Sequence, residues 1–115
     1  AQLYALSFAG LSTLRDSPLF EGTRPVKIFA CMACHKPVAY CGKGEGARLV
    51  EAQGAGLTCP PEDPQALADL LIRLKREPEA ARAMGARGRA FVATSLSWGG
   101  LVKAWATDLF ARLER

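Results

Sequence analysis

The sequence predicts an α/β fold, in which a Rossmann-like parallel sheet of about three strands is followed by C-terminal helices. In the first half of the chain, short apolar runs alternate with helical segments and glycine-rich turns, which is typical of β-α-β units. In the second half, apolar residues recur at three- and four-residue spacing, which indicates amphipathic helices. No linker or internal repeat divides the chain, so residues 1–115 are predicted to form a single domain.

The first half of the chain is expected to supply the sheet and its crossover helices. A turn-rich loop that contains Pro18 and Pro25 separates the first strand from the first crossover helix. Gly54 suits the left-handed position that closes the second crossover helix. In chain order we expect the end of a helix at residues 3–8, strands at 11–14, 37–41 and 56–59, and helices at 26–34 and 47–53.

Three helices are predicted in the second half, and we expect them to wrap one side of the sheet. Asp63 is a favourable N-cap, and Pro64 fits the first helical position. Pro78 ends that helix and begins another, and Ser97 caps the last one. The apolar positions are Ala66, Leu67, Leu70, Leu71 and Leu74 in the first helix, Ala81, Met84 and Phe91 in the second, and Leu101, Trp105, Leu109 and Leu113 in the third.

Composition and charge exclude several classes of protein. Half of the residues are apolar and 23% are charged, which is ordinary for a globular chain and excludes a disordered one. No apolar run approaches the roughly eighteen residues that a membrane-spanning helix needs. No secretory signal pattern stands at the start of the sequence, so the expected location is the cytoplasm.

The net charge of +4 permits an anionic partner without requiring one. A basic run in the second half is opposed only by Glu77 and Glu79, and it suits peripheral contact with an anionic membrane surface. Aromatic residues do not interleave with it, so no nucleic-acid partner is expected. The run consists of Arg73, Lys75, Arg76, Arg82, Arg87 and Arg89.

A series of short motifs carries a family resemblance. They are LRDSPLFEGTRPVKIF at residues 14–29, MA at 32–33, KPV at 36–38, GEGARLVE at 44–51, GAGL at 54–57, PPEDP at 60–64, MGARGRAF at 84–91 and SW at 97–98. In this order and spacing, the chain from Leu11 onward resembles the C-terminal portion of a family four retaining glycosyltransferase of the GT-B type. That family has two Rossmann-like domains and uses nucleotide-sugars.

The resemblance implies a site for a nucleotide diphosphate sugar at the start of the first crossover helix. Thr23, Arg24 and Lys27 match the family's loop and first helical turn beside the donor. A helix N-terminus suits a diphosphate because its free amide groups and its dipole both favour anions. Lys27 would add a full positive charge, and Thr23 could offer a hydroxyl and an amide. No cofactor or metal ion is required by this function.

Four departures from the family pattern affect its donor site. Ala30 stands where the family has a glutamate that binds ribose hydroxyls, and Gly22 replaces the acidic residue eight positions earlier unless Glu21 substitutes for it. His35 replaces a glycine before the KPV motif, and residues 7–8 replace an Ala-Asp pair. We therefore expect no transferase activity from this chain alone, and its status as an enzyme stays open. A further N-terminal domain or a second copy of the chain is expected to cover the exposed edge of so small a sheet.

Residues 31–35 have the pattern C-x-x-C-H, which is the spacing for covalent attachment of c-type haem. Cys31 and Cys34 would form thioethers, and His35 would bind the iron from one face. Met84 is the candidate second axial ligand, or else it fills the core at a helix contact. The alternative function is thus an exported or periplasmic electron-transfer protein with haem c. The family tolerates cysteine at both thiol positions, so only His35 needs a separate explanation.

The cysteines give little support for zinc or for a redox disulfide. Zinc would need Cys31, Cys34 and His35 together with Cys41 or Cys59, but adjacent Cys34 and His35 seldom chelate one ion. A thioredoxin-like pair would stand at the start of a helix, whereas this pair is predicted near a helix end. Cys41 and Cys59 fall on predicted strands and are expected to be buried, inert small hydrophobes.

Overall fold

Three short parallel strands lie at the centre of the fold in the computed structural model, which describes residues 2–114. The strands are β1 (Gly10–Thr13), β2 (Val38–Cys41) and β3 (Gly56–Cys59), and they lie side by side in that order. Both strand pairs are parallel. Their register places Val38 opposite Gly10 on one side and opposite Gly56 on the other. The predicted α/β class and the three-stranded parallel sheet are confirmed.

Helices connect the strands and continue to the end of the described chain. The side chain of Asp63 accepts a hydrogen bond from the Ala66 amide at 2.9 Å, and that of Ser97 accepts one from the Gly100 amide at 3.2 Å, so both predicted caps are confirmed. The helices are α1 (Gln2–Leu6), α2 (Val26–Ala33), α3 (Gly44–Ala52), α4 (Pro64–Arg76), α5 (Pro78–Ser95) and α6 (Trp98–Leu113), and a 3₁₀ turn covers Pro18–Phe20.

Alternate residues of β2 face two separate apolar clusters. Val38 and Tyr40 are fully buried on the face that α2 and α3 cover. Ala39 and Cys41 are buried on the opposite face, against α4. Helix α5 contacts both α2 and α4, so it contributes to both clusters. The result is a three-layer arrangement with the sheet in the middle, as the buried, uniformly apolar β2 leads one to expect.

Helix α3 begins three residues earlier than predicted. The glycines of residues 42–46 predict a turn, but the helix starts at Gly44, which has a φ of +75°. The amide of Glu45 donates to the carbonyl of Glu21 at 2.7 Å, so the loop before α2 supplies a partner for the first turn of α3. A contact across more than twenty residues fixes this boundary, and sequence periodicity cannot detect such a contact.

Helix α6 does not wrap the sheet, so that expectation is wrong for the last helix. The helix packs lightly on α5, and none of its residues is buried. Trp98 is 83% exposed and Trp105 is 64% exposed. The spacing of apolar residues correctly predicts a helix with one apolar face. It does not say which part of the molecule that face contacts.

Strand β1 forms an open edge of the sheet. It pairs with β2 alone, and its bounds are shifted by one residue from the predicted 11–14 because Gly10 begins the ladder. Gly10 and Ser12 are buried under α2, whereas Leu11 on the other face is 50% exposed. The face of β1 opposite α2 is therefore uncovered within residues 2–114.

Candidate functional site

The carboxyl ends of the three strands meet at one edge of the sheet, where α2, α3 and α4 begin. Thr13, Cys41 and Cys59 are the last residues of the strands and lie in register. In open parallel sheets, ligands bind in the crevices outside this edge. Two open clefts of about 400 Å³ each lie there, one beside Thr13 and Asp63 and the other beside Lys43 and Cys59.

Thr23, Arg24 and Lys27 lie together at the start of α2, on this same edge. Thr23 is half-buried, and its amide donates to the Phe20 carbonyl at 3.1 Å. Lys27 is exposed in the first turn and forms no ion pair with any described residue. No side chain caps the helix, because Pro25 occupies the N-cap position. The first amides of α2 are thus available to an anion.

Two ion pairs brace the loops around this helix start. The Arg24 Nε atom lies 2.8 Å from Glu45 Oε2, which joins the loop before α2 to the first turn of α3. The Lys43 Nζ atom lies 2.6 Å from Asp16 Oδ2, which joins the loop after β1 to the loop after β2. The hydrogen bond and charge of Asp16 raise the pKa of Lys43. The edge therefore carries opposite charges in close pairs.

Ala30 and Glu21 lie at or beside the positions where the resemblance leads one to expect carboxylates. Ala30 is half-buried and lies about one turn beyond Val26 and Lys27 on the outward side of α2, because residues three and four apart share a helix face. Glu21 has an exposed side chain, and its backbone carbonyl is bonded to the Glu45 amide. An alanine methyl accepts no hydrogen bond, so α2 offers no side-chain acceptor at Ala30.

Tyr40 is a residue of this region that sequence reasoning missed. It is fully buried, and its Oη atom has no hydrogen-bond partner among residues 2–114. A Cβ at Gly46 would overlap this oxygen, so the glycine lets α3 begin directly over the tyrosine ring. The alternating glycines at 42, 44 and 46 are the sequence signal that could have indicated this close approach.

Cys31 does not face solvent. It is 1% exposed, and its Sγ atom donates to the carbonyls of Lys36 at 3.2 Å and Pro37 at 3.4 Å. Burial raises the pKa of this thiol to about 11. A Cβ at Gly10 would overlap the sulfur, so α2 lies directly against β1 at this point.

His35 occupies the left-handed position that ends α2. Its φ is +57°, and its amide donates to the Met32 carbonyl at 3.1 Å. The amide of Lys36 donates to the Cys31 carbonyl at 3.1 Å, which completes a Schellman motif. A glycine is favoured there, which gives a physical reason for the glycine that the family resemblance leads one to expect.

The residues expected for haem attachment do not fit that group as folded. The Cys31 sulfur lies in the core on the α2 side of the sheet, whereas the side chain of His35 is exposed. Met84 is half-buried and packs in the cluster on the α4 side, as the core-filling interpretation predicts. A porphyrin bound to both sulfurs would require α2 to separate from β1. Within the described chain, no group of three or more His, Cys, Asp or Glu residues could hold a metal ion.

The basic run on α4 and α5 is exposed. Arg73 pairs with Glu77 at 3.3 Å, Arg82 pairs with Glu79 at 2.7 Å, and the Nε atom of Arg87 donates to the Gly54 carbonyl at 2.8 Å. Lys75, Arg76 and Arg89 are exposed as well. Across residues 2–114, none of the helices combines the length and the apolar character needed to cross a bilayer.

Comparison with known proteins gives no further assignment: no family model, curated protein or solved structure matches the chain.

Proposed function

We propose that this chain is the nucleotide-sugar-binding part of a GT-B glycosyltransferase, and that the diphosphate of the donor binds at the start of α2. One observation carries the proposal: Thr23, Arg24 and Lys27 lie together at the edge of a parallel sheet where nucleotides bind in folds of this kind. The motif resemblance described above supplies the class of ligand.

The proposed recognition of the diphosphate is electrostatic. The uncapped first turn of α2 presents backbone amides and the positive end of the helix dipole. Lys27 extends from the same turn and is free to contact a phosphate oxygen. The Thr23 hydroxyl adds a neutral donor beside them. Arg24 is engaged by Glu45, so it joins the ligand only by giving up that pair.

We also propose that the chain binds its donor weakly and that it transfers no sugar on its own. Ala30 cannot accept hydrogen bonds from ribose hydroxyls, and each charge-assisted bond of this kind contributes roughly 1.5–3 kcal/mol. For Glu21 to substitute for the carboxylate missing at Gly22, the loop would have to shift and break the hydrogen bond from the Glu45 amide to the Glu21 carbonyl. A complete transferase site requires a further domain or a second copy beside this one, and the uncovered β1 edge is the proposed contact.

Titration calorimetry with uridine, guanosine and adenosine diphosphates tests the proposed site. At least one of them should bind weakly, and Lys27→Ala should weaken that binding further. Lys75→Ala removes another exposed charge, on α4, and is the matched control that should leave binding unchanged. Equal losses in the two variants would indicate general attraction to a basic surface, and no binding of any diphosphate would contradict the proposal.

A further inference from the structure

Cys41 and Cys59 form a pair of thiols across neighbouring strands. They are the last residues of β2 and β3, they lie opposite each other in register, and both contribute to the cluster on the α4 face. Sequence spacing does not reveal this pair, because its members are eighteen positions apart in the chain.

The pair lies just below the edge of the sheet and near solvent. Cys41 is 5% exposed and Cys59 is 8% exposed. Cys41 lines the cleft beside Thr13 and Asp63, whereas Cys59 lines the neighbouring cleft beside Lys43. The two residues therefore lie in the wall between the two clefts.

The backbone spacing brings the two side chains within reach of one ion, because neighbouring strands lie about 4.8 Å apart and the two cysteines are in register. Both cysteines are free thiols. No third His, Cys, Asp or Glu joins them within the described residues, so an ion that requires four ligands is not satisfied.

We propose that Cys41 and Cys59 together bind one soft monovalent metal ion, of which Cu(I) is the representative, through their two sulfur atoms. Thiolates favour soft ions such as Cu(I). Cu(I) accepts linear two-coordinate ligation, so two sulfurs can hold it, whereas zinc requires four ligands. This site is independent of the nucleotide-sugar function, because the sulfurs lie on the α4 face of the sheet and the proposed diphosphate contacts begin α2.

Binding involves proton release and no change of oxidation state. Each thiol loses its proton to solvent, and two sulfur–copper bonds form while the metal enters and remains as Cu(I). The hydrogen bond from the Cys41 Sγ atom to the Pro60 carbonyl, at 3.1 Å, is lost when this sulfur gives up its proton. Because each thiol must lose its proton to bind the ion, the affinity should increase with pH.

Anaerobic titration of the purified chain with Cu(I), in competition with a chromogenic Cu(I) chelator, tests the site. We expect one copper ion per chain and sulfur-to-copper absorption in the ultraviolet. Cys41→Ser and Cys59→Ala should each lose this binding, whereas the Cys31→Ser/Cys34→Ser double variant should retain it. If one single variant fails to fold, the other provides the same comparison, with circular dichroism as the check on folding.

Two results would overturn the proposal. One is the absence of stoichiometric Cu(I) binding by the unaltered chain in the presence of the chelator. The other is loss of copper from the Cys31→Ser/Cys34→Ser variant while Cys41→Ser keeps it, which would assign the ion to the C-x-x-C pair. Neither result bears on diphosphate binding, so the proposed function is tested separately.

Discussion

The guanidinium of Arg24 and the carboxylate of Glu45 are joined at 2.8 Å between side chains twenty-one residues apart. Arg24 belongs to the loop before α2, and Glu45 belongs to the first turn of α3. The pair therefore closes one side of the sheet edge. A phosphate bound at the start of α2 would compete with Glu45 for the arginine.

Glu45→Gln should tighten nucleoside diphosphate binding. The substitution removes a negative charge near the proposed site and releases Arg24 toward the phosphates. Both side chains are about half exposed, so the gain should be up to about fivefold, as expected for an exposed ion pair. Calorimetry in low salt measures it, and Glu79→Gln on α5 is the control that should have no effect. Weaker binding by Glu45→Gln would contradict the placement of the ligand.

Gly85 is predicted to be intolerant of a side chain. Its α-carbon faces the carbonyl of His35, which a Cβ would overlap, so α5 meets the turn after α2 backbone to backbone. Gly85→Ala should lower the free energy of unfolding by about 1–3 kcal/mol, as forced overpacking does. Gly99 in α6 has open space around it, and Gly99→Ala is the matched control that should cost nothing. Urea unfolding of the two variants measures the difference.

His35→Gly should stabilise the fold. A residue with a Cβ is strained at a φ of +57°, and glycine is not, although glycine also gains freedom in the unfolded chain. The net gain should be roughly 0.5–1 kcal/mol in the free energy of unfolding. His35→Ala keeps the Cβ and should show no gain. Equal stabilisation by both substitutions would mean that the imidazole itself, and not the backbone, is unfavourable.

The stability of the fold should decrease in alkaline solution. Burial raises the pKa of Cys31 from its ordinary value of 9.0 to about 11, and burial together with Cys41 does the same for Cys59. The unfolded chain thus loses these protons first, so stability is full below pH 9 and is lost as the pH rises toward 11. Urea unfolding across this range should show a shallower decrease for the Cys31→Ala/Cys59→Ala variant. An identical decrease in that variant would contradict the burial of the thiols.

Local signals in the sequence were sufficient for most of the fold. The run from Val38 to Cys41 is uniformly apolar because both of its faces are buried, and Asp63 with Pro64 fixes the start of α4. The start of α3 was missed because a carbonyl of Glu21 completes it. The position of α6 was missed because an apolar stripe does not identify its partner. The periodicity of apolar residues cannot predict helix starts and helix packing that depend on contacts between residues far apart in the chain.

The candidate site was predictable in part. A helix start near Thr23, Arg24 and Lys27 follows from chain order alone, since crossover helices begin at the carboxyl edge of a parallel sheet. The pairing of Arg24 with Glu45 could not be predicted, because it depends on how two loops fold together. The burial of the Cys31 thiol could not be predicted from the C-x-x-C-H spacing either, because it depends on how α2 packs on β1. Cys31 faces the core, and His35 lies beyond the helix end.

The central claim is that α2 presents a nucleotide-sugar site weakened by the alanine at position 30. Calorimetric titration of Ala30→Glu with the nucleoside diphosphate that the unaltered chain binds best is its most direct test. We predict binding that is at least about tenfold tighter, because the carboxylate accepts charge-assisted hydrogen bonds from the ribose. Adding Lys27→Ala to this variant should remove most of the gain. Unchanged affinity in Ala30→Glu, or a gain that Lys27→Ala leaves intact, would contradict the claim.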